Sequence, residues 1–501
     1  MRLLTTAILI LQTTRLFTIA QEATPLPRSN PETQGVSSRS LIDLVEALDS
    51  KIPGMHSLMI VRNGHVITEG WWAPYRAEDN HVLYSLSKSF TSTAVGFAVS
   101  EERLSIDDPV GLFFPDAMPD EASYNLKSMR VRDILTMTTG HQQEPSAAAE
   151  IVSTESFLSQ EVPHPPGTHF KYNTAATFMQ SAIVQKLTGK TVLDYLGPRL
   201  FAPLGIEKPE WDTNFQGISL GGYGLRVRTE DIAKLGQLYL QNGKWNGKQL
   251  IPMDWVSMAT SKQVSNGSNP DNDWNQGYGF QFWRCRHNAY RGDGAFGQYC
   301  IVMPDQNAVI AITSGVSNMQ SVMNVIWDFF LPACQTEALK PNKAEVTALK
   351  SRLTSLTILP AKGNLTSEQA SRVLNRIYTL DVNEQGYKSI RINHSEKSNE
   401  LTLRLEGSER TLSLPAGYLA WHSGRSDISA GRLAHFSNEQ VAGTFAWEKE
   451  NVLTFKICAI ETPFHFQIRL RFEDDNITLE SESNVAFGPR NHSPLKGKLK
   501  R

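Results

Sequence analysis

The sequence predicts an α+β fold, with a mixed domain of strands and helices followed by a small all-β domain. Three observations lead to this fold class. A strand hairpin, a long helical middle and returning strands follow one another up to residue 333. Beyond residue 367 the pattern changes to short strands with alternating apolar residues. With 501 residues, the chain is also too long for one compact core.

The mixed domain begins with a predicted β-hairpin at residues 57–72. Two alternating apolar runs surround the pair Asn63–Gly64, which is a strong turn signal between strands. A helix is predicted over residues 85–100, because apolar residues from Leu86 to Ala98 recur on one face. Strands return only near residue 278, so we expect one sheet that gathers strands from both ends of the domain.

The other elements of this domain follow from periodicity and from glycines that end helices. Helices are predicted at residues 131–140, 174–189 and 229–243, each of which ends at a glycine. Further predicted elements are strands at 278–284, 298–303 and 308–313 and a last helix at 319–331. Together these elements predict a first domain at residues 30–333.

The segment between the two domains is polar and is interrupted by prolines and lysines. This composition predicts a linker at residues 334–367 and a second domain at residues 368–501. Within the second domain, residues 464–472 read FHFQIRLRF, in which every other residue is apolar. We therefore expect a small sandwich or barrel whose core folds separately from the first domain.

The first twenty residues predict an export signal. Arg2 precedes an apolar run, Leu3–Leu11, and Ala20 ends a segment that resembles a cleavage site. Residues 1–20 would then be removed, and the mature chain would be secreted or periplasmic. No later segment approaches 18 apolar residues, so no stable membrane insertion is expected after signal removal. The balance of 49 Lys and Arg against 51 Asp and Glu gives no reason to expect a nucleic-acid partner.

Neither a metal nor another cofactor is expected. The four cysteines, at 285, 300, 334 and 458, match no zinc-binding spacing, and no His/Glu pair has ligand spacing on a helix. In an exported chain Cys285 and Cys300 could pair across a hairpin. Separate buried thiols agree equally well with the sequence, so the pairing stays open.

The stretch LYSLSKSF, residues 83–90, contains the strongest chemical signal. Ser85 and Lys88 are three residues apart, so on a helix their side chains share a face and can meet. A serine needs a base to become a nucleophile, and burial near a helix N-terminus lowers the pKa of a lysine enough to make it one. The spacing alone is weak evidence for a catalytic pair, because Ser493 and Lys496 have the same spacing near the C-terminus.

Two downstream stretches could complete an active site. In PPGTHFKYNTAATF, residues 165–178, Tyr172 precedes a predicted helix and could move protons to and from Ser85, although it could also simply pack its ring. In RGDGAFGQYC, residues 291–300, glycines allow close approach of a ligand. The backbone amides of Ala295 and Ser85 would make an oxyanion hole, although the stretch is also compatible with a ligand-free hairpin turn.

These stretches resemble the serine β-lactamase and penicillin-binding-protein superfamily over residues 30–333. The resemblance is strongest to the class C-like branch, which includes esterases, D-aminopeptidases and 6-aminohexanoate-dimer hydrolases. Five stretches show the resemblance and occur in the same order as in the family. They are YSLSKSFTSTAVGFAVSEERLSIDDPV, VRDILTMTTGH, PPGTHFKYNTAATFMQSAIVQKLTGK, TEDIAKLGQLYLQNGKWNGKQLIPMDWV and GDGAFGQYCIVMPDQNAVIAITSG. The resemblance implies an antiparallel sheet flanked by helices, with a helical subdomain. The second domain is similar to lipocalin-like extensions of some exported members.

The resemblance also implies a role for each candidate site residue. Ser85 would be the acylated nucleophile, Lys88 its activator and Tyr172 the general base, with the amides of Ser85 and Ala295 as oxyanion donors. Substrate would be bound by Thr174 and by the stretch that includes Asp293 and Gly294. The family usually has an asparagine where this chain has Thr174, and a lysine or histidine where it has Gly292.

The expected function is that of a serine hydrolase that cleaves an ester or amide of a small molecule or peptide-like substrate. The departures from the family argue against recognition of a β-lactam or a D-alanyl carboxylate. A β-lactamase, a D-alanyl carboxypeptidase and a D-aminopeptidase remain alternatives. Acyl transfer through the same acyl-enzyme and a non-catalytic binding protein on this scaffold also remain. The stretch GISLG, residues 217–221, matches a nucleophile elbow but lacks the strand before and the helix after it.

Overall fold

A computed structural model describes residues 25–394, 399–408, 410–429 and 435–500. The predicted export signal lies outside these residues. Within the described ranges, no helix has the length and apolarity that crossing a membrane requires. The mixed first domain and the separate all-β second domain confirm the predicted fold class.

The first domain is built on a six-stranded antiparallel sheet. The strands of this domain, in chain order, are β1 (Met55–Arg62), β2 (His65–Trp71), β3 (His81–Val82), β4 (Glu210–Trp211), β5 (Leu225–Val227), β6 (Lys244–Trp245), β7 (Lys248–Gln249), β8 (Trp283–Arg284), β9 (Tyr290–Gly294), β10 (Gln298–Met303) and β11 (Ala308–Ser314). The large sheet has the order β2-β1-β11-β10-β9-β8. It therefore joins strands from both ends of the domain, as predicted.

Helices pack on both faces of this sheet, and one short helix belongs to the second domain. In chain order they are α1 (Ser38–Lys51), α2 (Ser87–Ser100), α3 (Tyr124–Ser128), α4 (Val131–Leu135), α5 (Thr154–Leu158), α6 (Thr174–Thr188), α7 (Val192–Leu196), α8 (Ala202–Leu204), α9 (Thr229–Leu240), α10 (Met253–Thr260), α11 (Met319–Val325), α12 (Lys343–Thr354) and α13 (Ala370–Val373). A 3₁₀ turn, Tyr84–Leu86, precedes α2.

Side chains point alternately to the two faces of the central sheet, and both faces are buried against other elements. Met59 and Val61 of β1 pack in the cluster that contains the apolar residues of α2, α6 and α9. Leu58 and Ile60 pack on the other side, in the cluster that contains α1 and α11. The sheet thus separates the helical layer, which contains α2, α6 and α9, from a second helical face.

The predicted hairpin is confirmed, since β1 and β2 pair around Asn63 and Gly64, whose φ values are 49° and 79°. The helix predicted at 174–189 is also confirmed and ends before Gly189, which adopts φ 70°. The helix predicted at 131–140 ends at Leu135 instead, because the chain turns at Met137 with φ 60°.

The strand predicted at 278–284 is wrong except for its last two residues, Trp283 and Arg284. A left-handed residue, Gln281 with φ 64°, interrupts the extended backbone there. The buried side chain of Gln281 instead binds the helical layer, where its amide donates to the carbonyl oxygen of Leu135 at 2.7 Å. The apolar pattern therefore reflects burial without regular strand pairing.

The predicted linker is not featureless, because it contains helix α12. Leu349 of this helix is buried in the same apolar cluster as residues of α1, such as Leu41. Arg352 forms an ion pair with Asp49 of α1 at 2.5 Å. This part of the segment thus packs on the first domain, while the exact domain boundaries at 333 and 367 stay a prediction.

Within its described residues, the second domain forms a closed sheet of ten strands. Its strands are β12 (Ile377–Leu380), β13 (Tyr387–His394), β14 (Glu400–Gly407), β15 (Thr411–Tyr418), β16 (His422–Ser429), β17 (His435–Lys449), β18 (Val452–Ala459), β19 (His465–Glu473), β20 (Asn476–Ser483) and β21 (Leu495–Leu499). The order is β15-β14-β13-β12-β21-β20-β19-β18-β17-β16, and a pairing of β15 with β17 closes it. Ile468, Leu470 and Phe472 share its buried face, as the alternation predicts.

The two domains share buried contacts. Cys458 and Ala442 of the second domain belong to the same apolar cluster as Tyr75 of the first. The backbone N–H of Val82, in β3, donates to the carbonyl oxygen of Glu461 at 2.8 Å. These contacts fix the second domain beside the segment that leads into α2.

The four cysteines are all unpaired thiols. Cys300 faces the helical layer, and Cys285 faces the opposite side of the sheet. A disulfide between them is therefore wrong, and the alternative of separate buried thiols is correct. Arg291 donates to Cys285 Sγ at 3.0 Å, while Cys300 Sγ donates to the carbonyl oxygen of Ile232 at 3.4 Å.

Candidate active site

Ser85 lies in the 3₁₀ turn between β3 and α2 and is half-buried. The residue before it, Tyr84, has φ 46°, a left-handed conformation that bulky residues adopt at a cost of about 1–3 kcal/mol. The backbone just before Tyr84 is held in place, because the N–H of Leu83 donates to the carbonyl oxygen of Leu225 at 2.8 Å. This strained turn presents the Ser85 hydroxyl at the N-terminal end of α2.

Lys88 is buried directly behind Ser85. Its Nζ lies 3.1 Å from Ser85 Oγ, 2.8 Å from the carbonyl oxygen of Gly222 and 3.4 Å from Thr174 Oγ1. Burial lowers the pKa of Lys88 to about 7, and the negative charge of Glu144 opposes this shift. The amine is therefore substantially neutral at physiological pH.

Tyr172 lies in the loop before α6, with its ring stacked on Trp283 at a centroid distance of 5.5 Å. Lys88 Nζ lies 4.9 Å from the centroid of the same ring. Burial raises the pKa of Tyr172, and the Asp293 carboxylate raises it further, while a hydrogen bond with Ser85 opposes both. The phenol is consequently held in its protonated form within reach of the Ser85 hydroxyl.

The two residues after Tyr172 fix the start of α6. Asn173 is the N-cap, and its Oδ1 accepts the N–H of Ala176 at 3.0 Å. Thr174, in the position where the family usually has asparagine, places its Oγ1 beside Lys88 and donates its own N–H to Glu144 Oε1 at 2.6 Å. Glu144 was not predicted, and it brings an exposed carboxylate to the site.

The strand β9 brings Gly294 against the turn that carries Ser85. A side chain at Gly294 would overlap the carbonyl oxygen of Leu83 and would lie 3.1 Å from the Ser85 amide nitrogen. This close approach places Ala295, the next residue, beside Ser85 at the same cleft. Only a glycine allows the two predicted oxyanion donors to come this near.

Asp293 does not present a free charge to substrate. Its carboxylate lies 2.8 Å from the guanidinium of Arg291, which is fully buried. Burial raises the pKa of Asp293, and Arg291 opposes that shift. The expectation that Asp293 belongs to the substrate-binding surface therefore stays a prediction, and its geometry suits an ion pair beneath the cleft.

The cleft next to Ser85 has a volume of about 340 Å³. Besides Ser85, Thr174 and Ala295, its walls consist of Tyr84, the segment 144–147, Tyr223 and Phe487. Two larger cavities, of about 540 and 360 Å³, lie elsewhere and are lined by none of Ser85, Lys88 and Tyr172. The small cleft is thus the place where a substrate could meet the predicted groups.

The structure brings Ser85, Lys88, Tyr172, Thr174 and Ala295 close together, while their catalytic and binding roles stay a prediction. Sequence reasoning missed the carbonyl of Gly222, Glu144, Tyr223 and Phe487, which lie in loops without a recognisable local pattern.

Ser219, the serine of the GISLG stretch, is buried in an irregular loop and forms an isolated bridge with Thr213. That stretch has no helix after it, so the nucleophile elbow is excluded. Among the described residues, no group of three or more His, Cys, Asp or Glu side chains could hold a metal ion.

Comparisons with known proteins show the family to which this chain belongs. A family model described as Beta-lactamase matches residues 41–322, which is more than half of the chain. The 6-aminohexanoate-dimer hydrolase of Paenarthrobacter ureafaciens is 22% identical over 299 residues, which cover 53% of this chain and 76% of that protein. The D-aminopeptidase of Brucella anthropi is 24% identical over 164 residues, covering 30% and 31% of the two chains.

A solved structure described as a 6-aminohexanoate-dimer hydrolase from Bacillus anthracis has the same fold. It superposes with a TM-score of 0.51 and 20% sequence identity, covering 63% of this chain and 88% of that one. The six-stranded sheet, the helical layer and the family match lead to one assignment. The chain belongs to the beta-lactamase family of serine hydrolases.

Proposed function

We propose that this chain is an ester or amide hydrolase that works through an acyl-enzyme on Ser85. One observation carries the proposal: the buried amine of Lys88, with a pKa of about 7, lies 3.1 Å from the Ser85 hydroxyl. A serine hydroxyl needs such a neutral base at hydrogen-bond distance to act as a nucleophile.

The hydrogen-bond partners of Lys88 suit a neutral amine. A neutral amine has two N–H groups and one lone pair. The carbonyl oxygen of Gly222 can only accept, so it takes one N–H, and Thr174 Oγ1 can take the second. The lone pair then remains for the Ser85 hydroxyl proton, because Ser85 Oγ is the third neighbour.

The reaction proceeds in two balanced halves. Lys88 Nζ takes the hydroxyl proton while Ser85 Oγ bonds to the substrate carbonyl carbon, and the amides of Ser85 and Ala295 stabilise the oxyanion. The bond to the leaving group then breaks, and the proton on Lys88 passes to the leaving oxygen or nitrogen. Water repeats the sequence on the acyl-enzyme, and Ser85 leaves with its proton.

Tyr172 serves in this scheme as a proton relay rather than as a tyrosinate base. Its pKa is raised by burial and by Asp293, so a deprotonated phenol is unfavourable. A neutral phenol can still donate its proton to the leaving group while it accepts another from Lys88. The base role that the family resemblance implies for Tyr172 therefore passes to Lys88.

The charges around the cleft favour substrates without a carboxylate. The nearest exposed charge in the cleft wall is Glu144, whereas Gly292 stands where the family usually has a cation. We therefore propose clear activity on simple esters and weak activity on β-lactams or D-alanyl peptides. The comparison of kcat/KM for a chromogenic cephalosporin and a p-nitrophenyl ester tests this, and a higher cephalosporin value contradicts it.

Glu144 also supports a second candidate, an amide substrate with a free amino group. Its carboxylate would attract an ammonium in the cleft. The names of two relatives, the 6-aminohexanoate-dimer hydrolase and the D-aminopeptidase, describe substrates that have an amino group. Hydrolysis of an amino-acid p-nitroanilide that weakens more in Glu144→Gln than ester hydrolysis does would support this candidate.

The nucleophile is tested by covalent labelling. A fluorophosphonate or an activated ester should modify the peptide that contains Ser85, detected by mass spectrometry, and Ser85→Ala should lose the adduct. Ser219→Ala is the matched control, because Ser219 is a buried serine outside the cleft, and it should keep full labelling. Turnover that persists in Ser85→Ala would rule out the acyl-enzyme and leave a non-catalytic or different role for the scaffold.

Two further aspects rest on sequence and chemistry alone. The same acyl-enzyme can pass its acyl group to an alcohol or amine, so product analysis with added alcohol separates hydrolysis from acyl transfer. We also propose that the chain is exported, supported by the composition of residues 1–20. A mature protein recovered outside the cytoplasm with Gln21 at its N-terminus would agree with export, whereas retention of Met1 would contradict it.

A further inference from the structure

The loop between β20 and β21 carries a residue of the second domain into the active-site cleft. Phe487 lies in this loop, more than 400 positions after Ser85 in the sequence, yet both residues line the same cleft. Its side chain remains 42% exposed, which is unusual for a large aromatic residue at a domain contact. The ring is therefore available to a molecule that enters the cleft.

The start of the loop is anchored to the first domain. Asn484 Nδ2 donates to the carbonyl oxygens of Gly315 at 2.8 Å and Pro463 at 2.9 Å, while its Oδ1 accepts the N–H of His465 at 2.8 Å. Val485, the next residue, is buried with Val82 and Phe464. These contacts hold the residues just before Phe487 in place, and they therefore fix the position of its ring.

Phe487 packs beside both predicted oxyanion donors. Its ring centroid lies 5.3 Å from that of Tyr84, the residue before Ser85. The same centroid lies 4.6 Å from that of Phe296, the residue after Ala295. One second-domain ring and two first-domain rings thus form an aromatic wall next to Ser85 and Ala295, where a scissile carbonyl would be bound.

A purely structural role does not account for this exposure. Phe464 and Val485 already fill the contact between the domains, with exposed fractions of 1% and 2%. Phe487 adds edge contacts to that cluster but keeps a large apolar surface towards the cleft. An apolar surface left in water is unfavourable and gains free energy when an apolar ligand group covers it.

We propose that Phe487 is a specificity-determining residue that binds an apolar or aromatic group of the substrate beside the scissile bond. The second domain thereby forms part of the substrate-binding surface. This inference rests on the proposed acyl-enzyme mechanism on Ser85, because it assigns the wall to that cleft. It also predicts that the preferred substrates are bulkier on one side than acetate esters.

Phe487→Ala in the full-length chain tests the proposal with two substrate series. One series varies the acyl group of p-nitrophenyl esters from acetyl to butyryl and phenylacetyl, and the other varies the alcohol of acetate esters from ethyl to benzyl. In the variant, kcat/KM should fall roughly 5- to 30-fold for the bulky members of one series, from the loss of part of a buried aromatic contact. Values for the smallest esters should fall less than those for the bulky esters, since the smallest esters do not reach the ring.

Matched controls keep the outcome interpretable. Tyr124→Ala removes another exposed aromatic ring outside the cleft, and Val382→Ala changes an exposed residue of the second domain, so neither should alter selectivity. A small fluorophosphonate should still form the Ser85 adduct in Phe487→Ala, which Ser85→Ala cannot form, and this separates the inference from the mechanism itself. An equal change for all esters, or no change for any of them, would overturn the specificity role.

Discussion

At the scale of single residues, the site depends on how burial changes the protonation of two side chains. Burial disfavours the charged form of any group, so it lowers the pKa of Lys88 and raises that of Tyr172. The same physical cause therefore makes the lysine a base and keeps the phenol an acid. Lys88 and Tyr172 share one buried environment next to Ser85. They differ in role because the charged form of a lysine is the protonated one, whereas the charged form of a tyrosine is the deprotonated one.

The protonation of Lys88 should control the pH dependence of activity. The neutral amine is the active form, so kcat/KM for a neutral ester should rise about tenfold per pH unit below the pKa of about 7 and level off above it. Lys88→Ala should lower the rate of acylation by roughly 10²- to 10⁴-fold and remove this inflection. A rate that falls as the pH rises through 7 would contradict the assignment.

At the scale of elements, the site depends on close packing between β9 and the turn before α2. Two glycines of β9 face this turn: Gly292 packs on Leu86 and Ser89, and Gly294 packs on Leu83. The glycine-rich stretch thus has a steric reason, because it allows a strand edge to approach the nucleophile. The strained turn at Tyr84 is held from the other side by the second domain.

Gly294→Ala should disturb the oxyanion hole through this packing. The added methyl group would overlap the carbonyl oxygen of Leu83, and backbone on both sides leaves little room to relax. We expect acylation of Ser85 to slow by roughly 10²- to 10³-fold, the usual cost of losing an oxyanion donor. Fluorophosphonate labelling rates measure the effect.

Gly197→Ala provides the matched control for Gly294→Ala. A methyl group at Gly197 would meet no atom within 4 Å, and this residue has φ −43°, which alanine adopts readily. Its labelling rate should equal that of the wild type. Equal rates in all three proteins would show that the approach of β9 is not needed for chemistry.

At the scale of the whole molecule, local signals in the sequence predicted individual turns and helices, whereas contacts between residues distant in the sequence were missed. The hairpin around Asn63 and the pair Ser85 and Lys88 were predictable, because turn chemistry and helical spacing act over a few residues. Phe487 was not, because its role arises from a domain contact that no local pattern encodes. The helix α12 was missed for a different reason, since its weakly apolar face lies within a polar segment.

Removal of the second domain should impair the first. Composition alone predicts that the first domain folds by itself, but the structure buries Cys458 and Ala442 in a cluster that both domains share. A chain that ends at Ala361 would also lose the Glu461 carbonyl that accepts the N–H of Val82, two residues before Tyr84. We expect aggregation, or labelling of Ser85 at least about tenfold slower than in the full chain. Wild-type labelling of a soluble shortened chain would contradict this.

The folded chain should also lose stability in acid, because the first domain buries a pair of neutral histidines, His56 and His81. The Val82 carbonyl oxygen, 3.0 Å from His81 Nδ1, can only accept, so His81 Nε2 accepts from His56 Nδ1 at 3.1 Å. Burial lowers the pKa of His81 to about 4, below its unfolded value of about 6.5. The folded chain therefore binds fewer protons, and about 3 kcal/mol of stability, present above pH 6.5, is lost as the pH falls through 4. The free energy of unfolding should fall less steeply with decreasing pH in His81→Phe than in the wild type. Parallel curves for the two proteins would show that His81 is not the cause of the acid sensitivity.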